Sequence, residues 1–99
     1  MTEDNEELAQ SYELAKDFYK RGEVVEALRA LKPVLISKDP ELKKKTLVLL
    51  AEICHKRKDI TRAIKFFQTA LGLTQDPFEQ ATYLNKIGIL YRINNDIEN

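Results

Sequence analysis

Residues 46–73 read TLVLLAEICHKRKDITRAIKFFQTALGL. The apolar residues in this stretch fall at helical spacing on both sides of a polar turn at about Lys56 to Asp59, so it is read as two amphipathic helices joined as a hairpin. Leu50, Ala51 and Cys54 mark the inward face of the first helix. Ile60, Ala63, Ile64, Phe67, Ala70 and Leu71 mark that of the second. Asp59 precedes the second helix, where a short carboxylate accepts from otherwise unpaired N–H groups, and Gly72 is expected to loosen its last turn.

The same logic extends upstream. Leu8, Tyr12, Leu14, Ala15, Phe18 and Tyr19 form a first helical pattern. Acidic Glu3, Asp4, Glu6 and Glu7 crowd its start and Lys20 and Arg21 its end, as the helix dipole favours; Gly22 then provides the left-handed stop. Val24, Ala27, Leu28, Leu31, Leu35 and Ile36 form a second pattern. Pro33 interrupts it, at a cost of about 3 kcal/mol inside an ideal helix, which predicts a kink or an early end. Asp39-Pro40 is a helix start with a cap and an N1 proline, and the third helix runs from there to about Arg57.

Downstream, Asp76-Pro77-Phe78-Glu79 repeats that start, with Glu79 at the spacing that lets its carboxylate reach back to the N–H of Asp76. A fifth helix to about Ile93 carries Leu84, Ile87, Gly88, Leu90 and Tyr91. Asn94 to Asp96 then reads as a turn and Asp96-Ile97-Glu98-Asn99 as the opening of another helix, which points to the N-terminal piece of a longer repeat protein, with a regulatory or sensor output beyond Asn99.

Composition agrees with an all-α protein. The 99 residues include three glycines, three prolines and no tryptophan, too little turn material for a β fold, and 32% are charged. Lys plus Arg and Asp plus Glu balance at 16 each, so no long-range field favours nucleic acid or an anionic membrane. A single cysteine cannot form an intrachain disulfide, which suits a reducing, cytoplasmic setting, and no apolar run approaches the roughly 18 residues that cross a bilayer.

Superposing the segments places Gly22-Glu23-Val24 on Lys58-Asp59-Ile60 and on Asn95-Asp96-Ile97, at offsets of 36 and 37 residues. Leu14, Leu50 and Ile87 then coincide, as do Ala15, Ala51 and Gly88, as do Phe18, Cys54 and Tyr91, and as do Ala27 and Ala63. The small residues are expected to face one another across each hairpin and let the helix axes approach. This pattern resembles the tetratricopeptide repeat (TPR) family: a leucine-small pair, an aromatic, a Gly-Asp turn, alanines and a terminal proline. The resemblance covers nearly the whole chain. Its departures are Pro33 and Val34 in the first unit, Cys54 at an aromatic position, and a period two or three residues longer than the family's, assigned to the loops before Pro40 and Pro77. It implies a TPR-like α-α superhelix in a single domain. Repeat 1 covers residues 5–38, repeat 2 covers 40–74 and the first half of repeat 3 covers 77–99.

The resemblance also implies a concave groove lined by the first helix of each hairpin. In this chain that groove would hold Tyr12, Lys16, Tyr19 and Lys20, then Val48, Glu52, His55 and Lys56, then Asn85, Ile89 and Arg92. Cations outnumber the one acid, Glu52, so the expected partner is an acidic, amphipathic peptide or helix of another protein. The carboxylate clamp by which some family members hold chaperone tails is not expected. Lys16 and Glu52 replace its asparagines, Asn85 and Ile89 its second basic pair, and Glu52 repels a carboxylate.

Chemistry at Cys54-His55 is not expected, because one Cys and one His cannot supply a zinc site and no oriented partner makes His55 a general base. Lys43-Lys44-Lys45 and His55-Lys56-Arg57-Lys58 point around the helix rather than along one stripe, so nucleic-acid binding is not expected either. With no phosphate loop or nucleophile motif, the reading is a non-enzymatic scaffold without cofactor or metal. The alternative is structural: a homodimer through the C-terminal edge, where Ile87, Leu90 and Tyr91 are expected to lack a covering helix.

Overall fold

The computed structural model describes residues 2–98. The side chains of Glu3 and Asp4, to which a dipole role was assigned, and the side chains that would open a further helix after Asn95 lie outside the described residues. All regular structure among those described is helical. The helices are α1 (Thr2–Lys20), α2 (Val24–Leu31), α3 (Pro40–Lys56), α4 (Ile60–Leu73) and α5 (Pro77–Glu98), with a short 3₁₀ turn at Pro33–Ile36 between α2 and α3. Packing divides the chain into two compact units, Met1–Thr46 and Leu47–Asn99. The boundary falls inside α3, so this helix serves both.

In the first unit α1 packs on α2, and the 3₁₀ turn packs on both. Ala15, Ala27, Leu31 and Val34 are fully buried. Pro33 ends α2 early, as its missing N–H requires. The change to 3₁₀ winding also alters which residues point inward, because three residues rather than 3.6 complete a turn. Val34 therefore takes the inward position, and Leu35 and Ile36, expected to face in, are 43% and 78% exposed. Leu14 is also out of place: it is 47% exposed, although its equivalents Leu50 and Ile87 are buried. Lys44 is buried, in contrast to Lys43 and Lys45, and its ammonium group lies 3.0 Å from Glu41.

The core of the second unit joins Leu47 and Ala51 of α3, Ile60, Ala63, Ile64, Phe67 and Ala70 of α4, and Tyr83, Ile87 and Leu90 of α5. Cys54 packs against the edge of this core and is only half-buried. Burial pushes its thiol pKa up, and the nearby Asp59 carboxylate adds to that, so the sulfur stays protonated at neutral pH.

Two helix ends at matching positions of the register close with the same backbone geometry. After α1, Glu23 N donates to Phe18 O at 2.8 Å and Gly22 N to Tyr19 O at 3.0 Å. After α3, Asp59 N donates to Cys54 O at 2.8 Å and Lys58 N to His55 O at 3.0 Å. Both are Schellman closures, which place the residue before the final donor in the left-handed region. Gly22 has φ +81° and Lys58 φ +67°. Glycine enters this region freely, whereas an L side chain pays about 1–2 kcal/mol there. Lys58→Gly is accordingly expected to stabilise the protein by roughly 0.5–1 kcal/mol, net of the greater freedom of glycine in the unfolded chain. Gly22→Ala is expected to destabilise it by about 1 kcal/mol through backbone conformation alone, since an added Cβ would meet no heavy atom within 4 Å. Urea denaturation of the two variants checks both signs.

The junctions between hairpins repeat as well, and Ser37 and Thr74, which the sequence comparison did not single out, take part beside Asp39 and Asp76. Asp39 N donates to Ser37 Oγ at 3.1 Å and Asp76 N to Thr74 Oγ1 at 3.2 Å. Asp39 Oδ1 accepts from Glu41 N, and Asp76 Oδ1 from Phe78 N. Both hydroxyl residues are buried. The reciprocal cap expected between Glu79 and Asp76 is thus routed through Thr74, whose hydroxyl donates to Glu79 Oε1.

Two expectations on α5 are corrected. No turn forms at Asn94 to Asp96, because α5 continues to Glu98; a continuing helix keeps its backbone hydrogen bonds, and nothing at those positions forces φ positive. On α5 the buried residues are Tyr83, Ile87 and Leu90, while Leu84 and Tyr91 are 55% and 49% exposed and Gly88 is also exposed. The open edge is therefore formed by Leu84, Gly88 and Tyr91, and of the three residues expected to be uncovered only Tyr91 is.

Candidate functional site

In the second unit Glu52 and His55 of α3, Phe67 of α4, and Lys86, Ile89 and Leu90 of α5 line a depression of about 70 Å³. Its floor is set by packing: Phe67 is 1% exposed and Leu90 2%, and the Phe67 ring lies 6.2 Å from that of Tyr83. Its rim is charged. Lys86 Nζ lies 3.0 Å from Glu52 Oε1 and 5.9 Å from the centroid of Phe67. The ion pair therefore bridges α3 and α5 over an aromatic face, where a cation is favoured electrostatically. With both side chains reached by water, such a pair contributes only about 0–1 kcal/mol to stability. It can open at little cost to the fold.

Of the eleven residues assigned to the groove, Glu52, His55 and Ile89 line this depression. Val48 is on α3, half-buried against the core; Lys56, Asn85 and Arg92 are exposed on the same two helices. The remaining four are on α1 in the first unit. There Lys16 Nζ is 5.6 Å from the centroid of the Tyr12 ring and 3.3 Å from Glu13 Oε1. Burial is the largest effect on the Tyr12 phenol and raises its pKa, against the lowering by Lys16. Tyr19 is half-buried and Lys20 exposed.

Lys86, Phe67 and Leu90 were not assigned to the site. Phe67 and Leu90 are buried core residues that also form the floor of the depression, which helical periodicity cannot reveal. Lys86 was hidden by the repeat itself: thirty-seven residues before it stands Leu49, which is buried. Its presence changes the meaning of Glu52. That carboxylate is met by an ammonium group at 3.0 Å, so it does not act as an isolated repelling charge.

Among the described residues no group of three or more His, Cys, Asp or Glu side chains converges to hold a metal ion, and no helix is long and apolar enough to cross a membrane. No protein-family model, no curated protein and no solved structure matches this chain.

Proposed function

We propose that this chain is a non-enzymatic protein–protein interaction scaffold, built of stacked TPR-like hairpins, that receives an acidic, amphipathic peptide or helix on the α3/α5 face of its second unit. The carrying observation is the apolar depression over Phe67 and Leu90 roofed by the Lys86–Glu52 pair. A ligand carboxylate can replace Glu52 as the partner of Lys86, while a neighbouring apolar side chain enters beside Ile89. Lys56 and Arg92 on the same helices add local positive character, although the whole chain carries no net charge. Interaction then depends on local complementarity rather than long-range attraction. The repeat reading is supported by the two Schellman closures and by the matching Ser37/Asp39 and Thr74/Asp76 junctions.

Titration of acidic amphipathic helical peptides into isotopically labelled protein tests this reading. Amides of residues 48–56 and 85–92 are expected to shift together and saturably, and a basic peptide of the same apolar pattern is expected to leave them unmoved. Silence of both segments towards the acidic peptides contradicts the assignment.

A further inference from the structure

We infer that α5 pairs antiparallel with α5 of a second copy of this chain, about a twofold axis at Gly88. Ala81, Leu84, Gly88, Tyr91 and Asn95 are all exposed, and their spacings of three, four, three and four residues are those of a coiled-coil seam. Thirty-seven residues earlier, Leu47, Ala51 and Cys54 occupy the positions of Leu84, Gly88 and Tyr91. Leu47 and Ala51 belong to the core that α3 forms with α4, and Cys54 packs against it. The α5 seam is thus the same helix-accepting surface, and no described helix plays the part of α4 on it.

The choice of a second copy rests on size and charge. Reversing one helix about Gly88 sets Leu84 against the partner's Tyr91 and Ala81 against the partner's Asn95. Gly88 meets the partner's Gly88, and no heavy atom lies within 4 Å of where its Cβ would stand, so the axes can approach closely there. Beside the seam, Arg92 faces the partner's Asn85, a cation against a neutral acceptor, and no like charges meet. The seam is therefore self-complementary, as a twofold interface requires. The outer face of α1 is not suited to the same use. Gln10 and Asp17 there replace Tyr83 and Leu90 of α5 in register, and the exposed Leu14 is surrounded by Gln10, Glu13 and Asp17 in an open hollow. A polar face of that kind disfavours a head-to-tail filament.

Sedimentation equilibrium over a wide concentration range is expected to show the mass rising from one chain towards two. Gly88→Glu places two carboxylates face to face on the axis. It is expected to raise the dimer dissociation constant at least about tenfold while leaving helicity and thermal stability intact or improved, because glutamate is the better helix former at an exposed site. In a Cys54→Ala background, a mixture of Ala81→Cys and Asn95→Cys chains is expected to form the mixed disulfide in preference to either like pair. A constant monomer mass, association indifferent to Gly88→Glu, or predominance of like-with-like cross-links each overturns the inference.

Discussion

Phe67→Ala is expected to cost about 3–5 kcal/mol, the usual range for deleting a fully buried aromatic ring. A chain of this length commands roughly 5–15 kcal/mol in total, so the variant loses a large share of its stability and its unfolding midpoint falls accordingly. The size of the effect follows from position. Phe67 is 1% exposed at the centre of the only core cluster described for the second unit, and its ring contacts Tyr83 of α5 and lies under Lys86. Alanine there leaves a cavity lined by three helices that cannot collapse independently. Phe78→Ala is the control: Phe78 is 79% exposed at the start of α5, and its removal is expected to change stability by less than about 0.5 kcal/mol. Urea denaturation followed by circular dichroism separates the two, and similar midpoints would show that Phe67 is not the keystone of the unit.

The second large effect is expected from adding atoms rather than removing them. Ala63 and Ala51 are both 0% exposed, on adjoining helices of one core. Ala63→Leu forces three further carbon atoms into a close-packed contact and is expected to destabilise by about 1–3 kcal/mol. Gly88→Ala, at the register position of Ala51, is expected to do the reverse and stabilise the monomer by up to about 1 kcal/mol, because it improves helix propensity at a site open to solvent. Thermal unfolding of the two variants reads the opposite signs. Equal tolerance of Ala63→Leu and Gly88→Ala would mean that the alanine contact is not close.

This pair of variants also marks how far the sequence could be read. Five helices, the stops at Gly22 and Lys58 and the starts at Asp39 and Asp76 were legible because caps, prolines and helical periodicity act over a few neighbouring residues. The equivalence of Ala15, Ala51 and Gly88 was legible too, but their burial was not: the first two are fully enclosed and the third is exposed, since enclosure depends on whether another helix lies against the position. Leu14 and Tyr91 were misread for the same reason. Leu35 and Ile36 were misread because Pro33 changes the winding and hence the phase of every residue after it. In the candidate site, Glu52, His55 and Ile89 followed from register, whereas Lys86 did not, because a charge bridging two helices obeys no repeat. Asn94 to Asp96 looked like a turn by analogy with Gly22 and Lys58, yet a turn there needs a positive φ that the continuing helix avoids.

The central claim is that the Lys86–Glu52 pair is a gate that an acidic ligand opens. Calorimetric titration of one acidic amphipathic peptide into Glu52→Gln and Lys86→Gln tests it most directly. Glu52→Gln removes the internal competitor for Lys86 and is expected to tighten binding roughly three- to tenfold, whereas Lys86→Gln removes the receptor charge and is expected to weaken it by a similar factor. Opposite signs from the two halves of one ion pair are the predicted result. Unchanged affinity in both variants, or weakening by both, would contradict the account.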